Sequence, residues 1–228
     1  MRKLIGLCFL TVTLAASSAQ AQGIYLDRGD PSAISATATG IYSNDFRGGG
    51  VGGGWSYRGV FDVGADLVFN QITAGRSDGL SRLNIAPFVT WHAIKAEADE
   101  WPVSVSLAAS VWRQVYFGNS PVSNPEGWEA FGGISVYRRF ELGSSWVLVP
   151  EAFAAPEYSE TRYYSGALDQ TSGNQTNEIN YRTSGEWRLR ALVRANLLVK
   201  AGNTRYLMVP YAGYLDAPAA GINLGAMF

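Results

Sequence analysis

Three observations predict an all-β fold for this 228-residue chain: an antiparallel, up-and-down transmembrane β-barrel of ten strands. Apolar and polar residues alternate with a period of two, short and long connections alternate, and the composition is poor in charge but rich in glycine and aromatics. Charged residues make up 16% of the chain, against roughly 25% in ordinary soluble domains. With 26 glycines, 7 tryptophans and 12 tyrosines, the mean hydropathy is still only −0.02. This composition excludes disorder, which needs low hydrophobicity and high net charge. Beyond the leader, no stretch supplies the ~20 consecutive apolar residues of a membrane-crossing helix. The 18 basic and 19 acidic residues leave no basic excess, so nucleic acid is not an expected partner.

The first element is an address. Met1-Arg2-Lys3 is cationic, Leu4 to Ala16 is a 13-residue apolar run, and Ala19-Gln20-Ala21 is a small-x-small cleavage pattern. Thirteen residues are too few for a membrane anchor, so residues 1–21 read as a cleaved signal peptide and 22–228 as a single domain. Cys8 leaves with the leader, which excludes disulfides and thiol chemistry, and the mature net charge becomes −3.

Strands are expected at 32–43, 49–57, 60–71, 81–94, 102–116, 128–142, 146–156, 183–200, 204–215 and 219–228. Phe61, Val63, Ala65, Leu67 and Phe69 oppose Asp62, Gly64, Asp66 and Asn70. Trp187, Leu189, Ala191, Val193, Ala195, Leu197 and Val199 oppose Arg188, Arg190, Arg194 and Asn196. A spacing of two puts each set on one face of a strand. The stretches 146–153 and 207–211 are apolar on both faces, and Pro150 and Pro210, lacking a donor, belong near a strand end or a bulge.

The connections after the second, fourth, sixth and eighth strands are short, whereas Ile72–Leu80, Phe117–Gly127 and Glu157–Arg182 are long. Short turns on one side and long loops on the other, with both termini on the short-turn side, is the organisation of a membrane β-barrel. That placement requires an even strand number, with eight as the alternative to ten.

The last strand alternates Ile222, Leu224 and Ala226 and stops at Phe228. Together with the leader and the loop pattern, it resembles the bacterial outer-membrane β-barrel superfamily. The resemblance implies a cell outer membrane location, contact with outer-membrane lipids, and recognition of the Phe228 strand by the barrel-assembly machinery. It singles out no subfamily and carries over no active residue. The Trp and Tyr residues near strand ends suit interfacial girdles.

With the apolar face outward, the lumen is expected to hold Asp62, Asp66, Arg82, Glu129, Arg139, Arg188, Arg190 and Arg194, with Ser104, Ser106, Ser110 and Ser135. A barrel of this size is filled by its side chains, whereas aqueous pores need ~16 strands. The glycines of Gly48–Gly54 leave room on one wall for long side chains from the others. The long connection's Tyr158, Tyr163, Tyr164 and Tyr181 sit among small polar residues, a composition of recognition surfaces and of ordinary solvated loops alike. Arg28-Gly29-Asp30 spells an adhesion tripeptide, but it precedes the first strand and falls on the short-turn side.

No residue spacing points to a metal or a cofactor. The expectation is a small barrel with a structural, adhesive or narrow-pore role and no chemistry of its own. Two alternatives remain at this point: an outer-membrane enzyme using His92 with Ser104 or Ser106, and a secreted soluble β protein with the apolar face turned inward.

Overall fold

Each long strand pairs antiparallel with the next, and the first pairs with the last. The computed structural model describes residues 23–73, 79–118, 126–165, 180–215 and 217–228, excluding the side chains at 163–165 and 180–182. The strands are β1 (Ala33–Ser43), β2 (Phe46–Tyr57), β3 (Phe61–Ile72), β4 (Ser81–Ile94), β5 (Ser104–Phe117), β6 (Glu126–Tyr137), β7 (Phe140–Glu141), β8 (Trp146–Ser165), β9 (Asn180–Ala201), β10 (Thr204–Leu215) and β11 (Ala217–Met227). The two-residue β7 pairs with β8 alone, so the wall is the other ten. The β6–β8 ladder joins the halves, and β1 closes on β11 from Ser35↔Met227 to Ser43↔Ala219. Closure leaves no ladder edge in the wall, the condition for crossing lipid with strands.

Alternation decides which face is which. Val63, Leu67, Phe69, Ile85, Leu107, Val111, Leu189 and Val193 are all exposed on the outside. Asp62, Asp66, Asn84, His92, Ser106, Glu129, Arg190 and Arg194 are buried inside. A soluble barrel would be built the other way round, since an apolar band of this extent is not left to water. The band is bordered at the short-turn end by exposed Trp55, Tyr57, Trp91, Trp101, Trp146 and Tyr206, and at the loop end by Tyr42, Phe117, Trp187 and Tyr214. Trp187 and Val199, the partner of Trp146, are twelve positions apart on β9. At ~3.3 Å per residue and a tilt of ~40°, that spans about 30 Å, the thickness of hydrocarbon.

Prolines mark the ladder's weak points. The β4–β5 pairing skips Pro87, β6–β8 skips Pro156 and β9–β10 skips Pro210, because proline has no N–H to donate. Ser110 Oγ donates to the Pro87 carbonyl at 2.8 Å, repairing part of the first gap. Pro150 lies one residue beyond the last β6–β8 pair, Tyr137↔Glu151.

Several expected boundaries move. The sixth strand ends at Tyr137, not 142, because Arg138 and Arg139 turn the chain into β7. The next runs to Ser165 instead of 156, so much of the expected long loop is strand. β2 begins at Phe46, leaving only Asn44 and Asp45 between it and β1. The leader, residues 1–21, lies outside the described residues.

One bulge matters for the site. The β4–β5 register shifts by one between His92 and Ile94. An extra residue in one strand reverses the facing of everything after it. Inward facing therefore passes from the even-numbered Thr90 and His92 to Lys95, just before the short helix α1 (Ala96–Asp99), and Lys95 is buried at the barrel mouth.

Candidate functional site

The lumen is packed in three tiers, and the chain's own N-terminal segment closes its short-turn end. Gly23–Tyr25 form a 3-10 turn, and Ile24, Tyr25 and Leu26 are buried in an apolar cluster with Tyr137, Val149, Leu198, Leu207 and Met227. These residues come from β6, β8, β9, β10 and β11, so the segment is a plug seated on half the barrel wall.

Polar contacts fix its tip. The Gly23 N–H donates to Asp62 Oδ2 at 2.9 Å, and His92 Nε2 meets the same oxygen at 2.9 Å. An ionised carboxylate only accepts, which puts the imidazole proton on Nε2 and leaves Nδ1 as acceptor. Ser106 Oγ lies 2.7 Å from Nδ1 and donates to it, and the Tyr137 hydroxyl lies 3.2 Å from the same nitrogen. A Cβ at position 23 would collide with the imidazole, so this close approach requires glycine. Lys95 Nζ donates to the carbonyls of Gly23 and, at 2.8 Å, Leu26. Arg139 Nη1 bonds Asp27 at 2.9 Å, and Arg28 reaches Asp99 at 2.7 Å and the Ala93 carbonyl at 2.8 Å.

In the middle tier Glu151 accepts from Arg194 Nη1 at 3.0 Å, from Asn196 Nδ2 at 3.1 Å and from Ser135 Oγ. Above it Arg190 Nε donates to Glu157 at 2.5 Å, with Glu129 3.8 Å from the same guanidinium. Gln114 donates to Glu129 and accepts from Tyr116 at 3.0 Å. The Arg190 guanidinium lies 4.5 Å from the Trp112 ring centroid and 4.6 Å from that of Phe131, and Arg194 lies 5.6 Å from Phe153. These cation–π contacts fill the bore with side chains of opposite charge and aromatic faces. Between Ile24, His92, Ser106, Glu151 and Arg194 a cavity of about 10 Å³ remains, room for about one water molecule.

The glycine wall serves the neighbouring strand. A Cβ at Gly52 would strike the Asp66 carboxylate, and one at Gly48 would strike Asn70. On the neighbouring strands of the same wall, Tyr211 lies over Gly221 and its hydroxyl reaches the Gly40 carbonyl at 3.5 Å.

The structure thus brings Asp62, Glu129, Arg190 and Arg194 into the packed bore, with Asp66 and Arg82 on the glycine-facing side. Arg82 lies 5.9 Å from the Phe46 ring. Ser104 caps the Ala96 N–H at 2.9 Å beside the mouth. Two expected positions, those of Arg139 and Tyr158, are corrected. Arg139 is not in the lumen: β6 ends before it, and it braces the plug from the turn. Arg188 faces inward at the loop-side rim, where it pairs with Glu186. Tyr158 is not a loop residue but stands on the outer wall, 5.3 Å from both Trp128 and Trp187 by ring centroid. Tyr163 and Tyr164 lie on β8 and Tyr181 on β9, with side chains outside the described residues. Phe228 is exposed, and its backbone exchanges two hydrogen bonds with Ile34, at 2.9 and 3.1 Å. The tripeptide Arg28-Gly29-Asp30 is held at the short-turn end.

Sequence reasoning missed Glu151 and Glu157, the anions that partner the lumen arginines. Val149, Glu151, Phe153, Ala155 and Glu157 form one inward series of period two, hidden because the outward Ala152, Ala154 and Pro156 blur the contrast between faces. The plug carried no periodic signal at all.

Asp62, His92 and Ser106 have the connectivity of an orienting acid, a base and a hydroxyl. Ser106 is 1% exposed beneath the plug, and the hydrogen bonds link the plug tip to β3, β4, β5 and β6. Among the described residues no group of three or more His, Cys, Asp or Glu is placed to hold a metal ion.

Burial pulls the Lys95 ammonium down from 10.5 to about 8. Between about pH 8 and 10 the undocked lysine holds a proton that the docked one has lost, so plug docking strengthens as pH rises through that window. Above about 10 the ionisation of Tyr25, which burial suppresses in the docked plug, opposes it. Below about 8 both states are protonated and docking stays at its weaker plateau. Hydrogen-exchange protection factors at Ile24–Leu26 should follow this rise, and Lys95→Met should abolish it. A slope unchanged in Lys95→Met would place its origin elsewhere.

No family model matches the sequence, and no curated protein sequence does. Distant likenesses exist among solved structures. The attachment invasion locus protein Ail of Yersinia pestis has 9% identity and a TM-score of 0.38 over 86% of this chain and 96% of that chain. The β domain of the Bordetella autotransporter BrkA has 13% identity and a TM-score of 0.46 over 87% and 99%. LpxR from Salmonella typhimurium has 9% identity and a TM-score of 0.43 over 85% and 99%. Likenesses at this level say nothing of what the chain does.

Proposed function

We propose that this chain is a sealed outer-membrane β-barrel, structural or adhesive in role, with no chemistry of its own. In this reading the leader directs export, the Phe228 strand is taken up by the barrel-assembly machinery, and outer-membrane lipids surround the apolar band. One observation carries the reading: the bore is filled from the Arg190–Glu157 tier down to the Lys95-latched plug. The Asp62–His92–Ser106 line then serves as the seat of the plug. A barrel that admits neither ions nor substrate works through its exterior and its loop end.

Reconstitution into planar bilayers tests the reading. The expected result is no stable conductance step above the leak of the bare membrane. Large, long-lived steps from the native chain would overturn it.

A further inference from the structure

The two longest strands outrun the rest of the barrel. The β9–β10 ladder runs from Thr204↔Ala201 only to Tyr214↔Ala191, whereas β8 and β9 stay paired up to Ser165↔Asn180. Among the described residues, Asn180 to Trp187 have a ladder partner on β8 and none on the other side. Eight residues at ~3.3 Å each make a free edge about 26 Å long, which starts at Trp187 in the loop-end girdle and rises above it.

Such an edge offers unpaired N–H and C=O groups, and proteins normally blunt it with proline, lysine, bulges or a covering segment. Residues 180–187, Asn-Tyr-Arg-Thr-Ser-Gly-Glu-Trp, contain no proline and no lysine. Among the described residues the ground beside the edge is open as well. Where β10 stops and β9 continues there is a notch of about 680 Å³, lined by Asp45, Glu186, Arg188, Leu189, Ala191 and Tyr214.

We propose that this free edge of β9 is a docking site for an extended segment of a separate polypeptide, which adds to the β8–β9 hairpin as a further strand above the membrane. Backbone hydrogen bonds supply the affinity of strand addition, and alternate side chains supply the selection. Trp187, 73% exposed on the outer face, selects aromatic or β-branched residues at alternate positions of the incoming strand. Glu186 and Arg188, on the other face, select polar or charged residues between them. A second copy of this chain is a poor occupant. Copies inserted in one membrane share one orientation, so two β9 edges meet only in parallel, the less stable ladder. A free segment takes the antiparallel orientation unhindered.

The inference rests on the preceding reading only for which side of the membrane the edge occupies. A barrel that seals but binds no strand would sink this inference and leave that reading standing.

The probe is a fluorescent peptide with the sequence of residues 157–165, whose native copy already pairs with β9 through Tyr158↔Trp187 and Glu160↔Gly185. With the unmodified protein folded in detergent, saturable anisotropy binding is expected. A version with prolines at alternate positions should bind at least tenfold more weakly. The backbone amides of Thr183 to Trp187 that point away from β8 should exchange in the unbound protein like solvated strand edges, and at least tenfold more slowly with peptide bound. Equal binding of the two peptides, no binding, amides already protected in the unbound protein, or concentration-dependent dimers in place of peptide binding would each overturn the proposal.

Discussion

Arg190→Met should cost the barrel about 3–5 kcal/mol, the range for removing one partner of a buried ion pair. The guanidinium is 6% exposed and Glu157 2%. Its loss withdraws the cation from Glu157 and from Glu129, and also the face stacked between Trp112 and Phe131. Methionine keeps most of the volume, so little of the effect is cavity. The double variant Arg190→Met, Glu157→Gln should recover a large part of the loss, because a neutral amide no longer needs the cation. Urea unfolding from lipid vesicles, followed by tryptophan fluorescence, measures both. A single-variant loss below about 1 kcal/mol would mean that the upper tier contributes no more than an exposed pair.

The second large effect is on the plug. Leu26 is 2% exposed, and truncating such a leucine costs about 2–5 kcal/mol. A carboxylate there is costlier still unless it is expelled. In Leu26→Asp the segment should therefore leave its seat, with exchange at Ile24 and Tyr25 faster by about a hundredfold or more, since each 1.4 kcal/mol is tenfold. The wall itself closes through the β1–β11 ladder, so heat-modifiable gel migration should persist. Leu26→Met should change little. Loss of the folded gel band in Leu26→Asp would show instead that plug and wall fold as one unit.

The wall was legible because two-sided solvation writes itself into alternation. Phe61–Phe69 and Trp187–Val199 needed no partner to be read, and the parity of connection lengths supplied the ring. Legibility failed where a residue's facing depends on something other than counting. Lys95 is inward only because a bulge at His92–Ile94 shifts parity by one, and a bulge leaves no mark in composition. Glu151 and Glu157 were obscured by small residues on their outward side. Arg139 was assigned inward by extending a strand that in fact turns two residues earlier. The plug is the plainest case: Gly-Ile-Tyr-Leu is meaningful only once β6, β8, β9, β10 and β11 have built its seat, and those strands lie more than a hundred residues downstream.

That separation has a kinetic consequence. The seat of Ile24 and Leu26 includes Leu207 and Met227, contributed by the last two strands to be synthesised. Contacts so distant along the chain are slow to form, because loop-closure entropy precedes any gain. The segment that leads the barrel in sequence is therefore the last to find its place. Its burial reports a completed ring: protection at Ile24 in a folding time course should appear only after the first and final strands have met.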